Sequence, residues 1–320
     1  MEAWERLSGP SNPKDFISIA DWDRDAIEGM LARARELKVL RKRREAWRPL
    51  EGRSVLLYFE KPSLRTFVSF EIGVVELGGH PVYLPPSQVK IGEREEIEDV
   101  ARNLSCWCDA IVARTFGHQL VLDLAAEASV PVINALTDHL HPCQAMADVM
   151  TMAEHGDLAR DRLVYVGDGN NVAHSLIHIA GCLGMRMTVC TPENYTPDPA
   201  VVKAGLEMAR QQGGEIRLES DPQTAVKDAA FVYTDVWTSM GQEDETSERR
   251  RVFASYQVNA ALLSKAPPDV RVLHCGPAQR GEEISADVLD SERALVVDQA
   301  ENRLHAQKAI LEALLGHDGV

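Results

Sequence analysis

The chain has 320 residues, 45% of them hydrophobic, which is enough apolar material for two packed cores rather than one. Its formal charge of −15 excludes nucleic acid and anionic membrane surfaces as working partners, so an anionic ligand must be held by local positive charge. No apolar run approaches the roughly 20 residues needed to span a bilayer, and residues 1–11 carry neither a secretory nor a basic transit signal, so a cytoplasmic location is expected.

In chain order, a charged N-terminal stretch with Lys38, Arg41, Lys42, Arg43 and Arg44 reads as a helix with a solvated face. Strands are expected at 55–59, 81–84, 110–113 and 130–134, alternating with helices near 66–77, 96–105 and 121–127. A long helix is expected from Pro142 to about Glu154. A second set of strands follows at 163–166, 186–190, 215–218, 231–234, 270–274 and 295–298, with helices near 173–183 and 200–212 and a terminal helix at about 300–315. Such alternation predicts the α/β class with parallel sheets, and ligands in such sheets bind beyond the carboxyl ends of the strands.

The six cysteines follow no disulfide framework and are expected as thiols, with Cys106, Cys108, Cys182 and Cys190 serving core packing. His139, His141 and Cys143 alternate as three potential ligands would, but Pro142 signals a helix start and no second ligand cluster accompanies them. Neither a metal nor another cofactor is expected.

The polar clusters fall where strands end. Glu60-Lys61-Pro62-Ser63-Leu64-Arg65-Thr66 follows the first strand. The unpaired N–H groups of a helix's first turn, the helix dipole and the guanidinium of Arg65 together make an anion site there, although Ser63 can equally be a simple helix cap. Four further clusters are Arg114-Thr115-Phe116-Gly117-His118, His141-Pro142-Cys143-Gln144, Asp235-Val236-Trp237-Thr238-Ser239-Met240-Gly241 and His274-Cys275-Gly276-Pro277. Gly167-Asp168-Gly169-Asn170-Asn171 follows another strand and superficially resembles a dinucleotide turn, but it lacks the third glycine and a ribose-binding acid after the next strand.

Taken together and in this order, these segments resemble the aspartate/ornithine transcarbamylase family over nearly the whole chain, as far as Glu301-Asn302-Arg303-Leu304-His305. The resemblance implies two domains, each a parallel β-sheet flanked by helices, joined by two crossing helices. It implies a carbamoyl phosphate-binding domain at 1–142, completed by a C-terminal helix at about 300–320, and an ornithine-binding domain at 143–299. The implied reaction transfers the carbamoyl group of carbamoyl phosphate to the δ-amine of L-ornithine, giving L-citrulline and phosphate in arginine metabolism. By resemblance, Ser63, Leu64, Arg65 and Thr66 form the phosphate clamp, Leu64 through its backbone amide. Arg114 bridges phosphate and carbonyl oxygen, His141 donates to that oxygen, and Gln144, Gly276 and Arg303 contact the carbamoyl group. Asn171, Asp235, Ser239 and Met240 hold ornithine, with Cys275 beside the reacting amine. Trp237 is expected to pack rather than react. Lys90, in the loop 85–93, aligns with a segment that reaches a neighbouring subunit's site, which implies a homotrimer.

Two positions depart from the family. Phe67 replaces a second arginine, and Gly276 replaces a leucine whose carbonyl would accept from the carbamoyl amide. Competing readings are a transcarbamylase for N-acylated ornithine or putrescine and a non-catalytic paralogue. An acylated amine would not need Asp235 and putrescine has no carboxylate for the Ser239–Gly241 loop, which favours ornithine.

Overall fold

The structure is a computed structural model that describes residues 13–316 except Pro86, Gln88, Met240 and Gln242. The expected ornithine contact Met240 thus lies outside the described residues. The chain forms two compact units, Met1–Met150 with Asn302–Val320, and Thr151–Glu301.

In the first unit, α1 (Arg24–Arg43) starts where the Asp23 carboxylate accepts the Ala26 N–H and stops where Arg44 turns left-handed at φ 58°. There follow β1 (Ser54–Phe59), α2 (Leu64–Glu76), β2 (His80–Leu84), α3 (Ile97–Trp107), β3 (Ala110–Arg114), α4 (His118–Glu127), β4 (Val132–Leu136) and α5 (Pro142–His155). The four strands are parallel in the order β2-β1-β3-β4. The central strands are covered on both faces, so β3 is buried throughout and β1 in all but its first residue. β4 runs two residues later than the expected 130–134, because Pro131 has no N–H for the ladder and offers only its carbonyl, to Ile111.

The second unit contains β5 (Arg162–Val166), α6 (Asn171–Leu183), β6 (Arg186–Cys190), α7 (Pro199–Gln212), β7 (Glu215–Glu219), α8 (Pro222–Ala225), β8 (Ala229–Thr234), α9 (Thr246–Phe253), α10 (Ala260–Leu263), β9 (Arg271–His274), α11 (Ala286–Leu289) and the start of α12 (Val296–Leu315). Its five strands are also all parallel, in the order β7-β6-β5-β8-β9. α5 and α12 each contain residues of both units, as the family resemblance implied. Each sheet reverses its strand order once, between β1 and β3 in the first and between β5 and β8 in the second.

Two expectations need correction. Residues 295–298 do not form a strand: beyond β9 the contact is an isolated bridge, in which the Val272 N–H donates to the Arg293 carbonyl and its carbonyl accepts the Leu295 N–H, after which the chain enters α12. The apolar run that suggested a strand lacks a second face to cover it, since Val297 is 76% exposed, and Asp298 suits the first turn of a helix. Cys106 is exposed rather than part of the core, because α3 buries the face carrying Ala101 and Leu104. The other cysteines expected to pack are at least half-buried, and all six are free thiols.

Candidate active site

In the first unit the expected residues gather at the reversal point of the sheet, where β1 runs into the turn before α2 and β3 ends at Arg114. Ser63 caps α2, its hydroxyl oxygen accepting the Thr66 N–H at 3.3 Å and lying 3.1 Å from the Thr66 hydroxyl. The buried Thr66 Oγ1 is a shared acceptor. Arg114 donates to it at 3.2 Å and Arg303, from α12, at 2.9 Å. Arg303 also donates to Gln144 Oε1 at 2.6 Å, and Gln144 passes its amide N–H to Asp148 at 2.7 Å. Two guanidiniums, a hydroxyl and an amide are therefore held together by one another.

His141 immediately precedes α5 and is buried. Burial, reinforced by the charges of Arg303 and Arg114, holds its imidazole well below the usual pKa, so the ring is neutral at physiological pH. A neutral ring can donate one N–H without adding a third positive charge. Leu64 is 76% exposed, consistent with a contribution from its backbone alone, and Arg65 is half-buried. The departure Phe67 joins an aromatic cluster, with ring centroids 5.9 Å from Phe59 and 4.7 Å from Tyr83. Lys90 is not drawn into this group; it pairs with Glu93 at 2.8 Å on the surface.

In the second unit the reversal point lies between β5 and β8. Asp235, just after β8, is buried, and the Cys275 thiol donates to its Oδ1 at 2.9 Å. Asn171 opens α6 with a half-buried side chain, and Ser239 is also half-buried. Gly276 adopts φ 70°, where a leucine would be strained, and its N–H donates to His274 Nδ1 at 2.8 Å. Trp237 packs, stacking on Phe253 with centroids 6.0 Å apart.

Several participants were not singled out from sequence. Asn170, named from sequence only as part of the cluster Gly167–Asn171 and given no role of its own, donates to Asp235 Oδ2 at 2.8 Å. His274 Nε2 meets Glu283 Oε1 at 3.0 Å, so the ring holds the turn through Gly276. Arg249 joins Asp168 at 3.0 Å and the Trp237 carbonyl at 2.9 Å, tying the loop after β5 to the segment after β8. Burial pushes the Asp168 carboxyl up to about 6 despite Arg249. Gly169 is required here by close packing, since a Cβ would lie 2.2 Å from the Pro197 nitrogen.

Among the described residues one trio, Asp235, His274 and Cys275, brings potential metal ligands within 4.8 Å. The hydrogen bonds above already occupy both ring nitrogens and the thiol. His139, His141 and Cys143 do not form such a group among the described residues; Cys143 donates to the Asn134 carbonyl at 3.3 Å, and burial pushes its thiol up to about 12.

Residues 14–154 match the family model for the carbamoyl-P binding domain of aspartate/ornithine carbamoyltransferase, and residues 160–314 match that for its Asp/Orn binding domain. The chain is 50% identical over 316 residues to the ornithine carbamoyltransferase of Anoxybacillus flavithermus, covering 98% of this chain and 99% of the relative. It is 53% identical over 282 residues to that of Acidothermus cellulolyticus, covering 88% and 90%. Among solved structures, the ornithine carbamoyltransferase of Pyrococcus furiosus superimposes with a TM-score of 0.93 at 48% identity, covering 95% of this chain and 98% of the other.

Proposed function

Because the chain belongs to the aspartate/ornithine carbamoyltransferase family, we propose that it transfers the carbamoyl group of carbamoyl phosphate to the δ-amine of L-ornithine, giving L-citrulline and phosphate. The observation that carries this reading is the convergence of Arg114 and Arg303 on Thr66, at a capped helix N-terminus, in a chain whose two halves both match the family.

Carbamoyl phosphate binds with its phosphate on Ser63, the Leu64 amide, Arg65 and Thr66. Arg114 spans phosphate and carbonyl oxygen. As the amine attacks the carbonyl carbon, that oxygen gains negative charge, and charge-assisted bonds from Arg114 strengthen with it. His141 donates to the same oxygen as a neutral imidazole. Gln144, Arg303 and the Gly276 carbonyl hold the carbamoyl amide and carbonyl, which fixes the plane of the electrophile. The C–O bond to phosphate then breaks, and the clamp accommodates the leaving phosphate.

Ornithine is held by Asn171, Ser239 and Met240 at its α-carboxylate and α-amino group, with Asp235 supplying the carboxylate for an ammonium. The attacking δ-amine must first lose a proton, since its solution pKa is near lysine's at about 10.4. Cys275 orients the neutral amine through its sulfur rather than forming a covalent bond. Phe67 and Gly276 leave this scheme intact: the first fills an aromatic contact, the second keeps the carbonyl acceptor.

The working form is a cytoplasmic homotrimer in which Lys90 reaches the phosphate of a neighbouring subunit. Its exposed side chain and its place in the loop 85–93 support that assignment. The physiological direction is arginine biosynthesis, and the Pyrococcus furiosus relative, 48% identical, is named as anabolic. The deciding experiment is citrulline formation from carbamoyl phosphate and L-ornithine beside N-acetyl-L-ornithine, putrescine and L-aspartate as acceptors. Turnover with ornithine alone is expected; preference for another acceptor would overturn the ornithine half of the reading.

A further inference from the structure

Asn170 precedes α6 at the point where the second sheet reverses its order, and Asp235 follows β8 on the other side of that reversal. The orientation of its amide is unambiguous. Oδ1 accepts the backbone N–H groups of Val172 at 3.0 Å and Ala173 at 3.2 Å, which only an oxygen can do, so the NH2 group is the one facing Asp235 Oδ2 at 2.8 Å. The other Asp235 oxygen takes the Cys275 thiol at 2.9 Å. Each oxygen of one buried carboxylate thus carries one donor, and the two donors come from different segments.

We infer that Asn170 is a positioning residue for the amine substrate: its amide, anchored by the helix cap, fixes the direction of the Asp235 carboxylate on which an amino-acid ammonium docks. This deepens the ornithine reading above and rests on it. The choice of donor has a physical reason. A neutral amide orients the carboxylate while leaving its full negative charge for the substrate, whereas a lysine or arginine in the same place would neutralise that charge and compete with the ammonium. The two asparagines of the turn then divide the work: Asn171 contacts the substrate, and Asn170 acts through Asp235.

The test separates capping from positioning. Serine and aspartate both cap helices as well as asparagine does, so Asn170→Ser and Asn170→Asp keep the start of α6. Asn170→Ser keeps a capping oxygen but lacks the longer amide arm that reaches Asp235; Asn170→Asp replaces the amide donor with a second carboxylate beside Asp235. The KM for L-ornithine, the KM for carbamoyl phosphate and the thermal midpoint are measured for the native chain and both variants. The expected result is an ornithine KM raised about tenfold in the serine variant and further in the aspartate variant, as befits a lost bond to a charged group and then a like charge. The carbamoyl phosphate KM stays within about twofold and the thermal midpoint is nearly unchanged. An ornithine KM unmoved in both variants, or both KM values rising together, would overturn the inference. A native chain inert toward ornithine would instead sink the functional reading, and the positioning role with it.

Discussion

At the scale of single residues, the structure assigns different burdens to side chains that look alike in sequence. Ser63 caps the helix with its hydroxyl oxygen, whereas Thr66 is the acceptor on which two guanidiniums meet. Arg65 is half-buried at a helix start, so Arg65→Ala should weaken carbamoyl phosphate binding at least about 100-fold in a titration while leaving the thermal midpoint within a few degrees. Unchanged affinity would remove it from the clamp. Asp235→Asn should raise the ornithine KM by at least about tenfold and the carbamoyl phosphate KM by less than about twofold, because its bonds lie wholly within the second unit. A further expectation concerns pH. The His141 imidazole is held well below its usual range by burial and by Arg303 and Arg114, so it stays neutral as pH falls to 6, and the carbamoyl phosphate KM should show no step near the ordinary histidine value of about 6.5. A step abolished by His141→Gln would show that the ring titrates normally. The polar clusters at strand ends were legible in sequence as loops, but their internal hierarchy was not. Asn170 and Asn171 are adjacent and chemically identical, and only the turn before α6 decides which one faces Asp235.

Among the elements, α12 carries an unusual burden for a helix. Gln299, Asn302, Arg303, His305, Gln307, Lys308 and Glu312 are all buried polar residues on it. Three of them are matched by partners from other segments of the first unit: Lys38 on Asn302, Glu76 on Lys308, and Arg33 with Trp47 on Glu312. The Arg33–Glu312 pair is nearly inaccessible to water at both ends, so Glu312→Leu, which leaves the guanidinium with only the exposed Glu36, should cost about 3 kcal/mol in chemical denaturation. A cost below about 1 kcal/mol would mean the pair is dispensable. His305 on the same helix has its pKa lowered to about 4 by burial and by Lys308, Lys38 and Arg41. The sign follows directly: above about 6.5 neither the folded nor the unfolded chain binds the proton, and between about 6.5 and 4 only the unfolded chain does, so stability falls as pH falls through that window. His305→Gln should flatten this part of the stability profile. The helix also explains the mistaken strand at 295–298. Its first turn begins with valines, and the alternation rule cannot tell a short apolar run that pairs from one that coils.

For the molecule as a whole, the charge of −15 is compatible with an anionic substrate because positive charge is concentrated locally at Arg65, Arg114 and Arg303. The proposed homotrimer makes two predictions. The native mass should be near three times the 35.4 kDa chain, or a multiple of that. Mixing Lys90→Ala chains with Arg65→Ala chains should restore activity that neither has alone, since a mixed assembly contains sites with Arg65 from one chain and Lys90 from its neighbour. Failure to complement in an assembly that demonstrably mixes would confine Lys90 to its own subunit.

The sequence by itself determined the α/β class, the order of nearly all strands and helices, and the polar clusters at the ends of strands, because each rests on local information: hydrophobic period, turn chemistry and motifs at strand ends. Strand order within each sheet, the place where that order reverses, and the convergence of residues as distant in sequence as Thr66 and Arg303 or Asn170 and Asp235 were decided only by the tertiary structure. The reason is that hydrogen-bond direction and burial are properties of what surrounds a side chain. His141 is an ordinary histidine in the sequence and a neutral ring here only because the loss of water and two nearby guanidiniums disfavour its charged form.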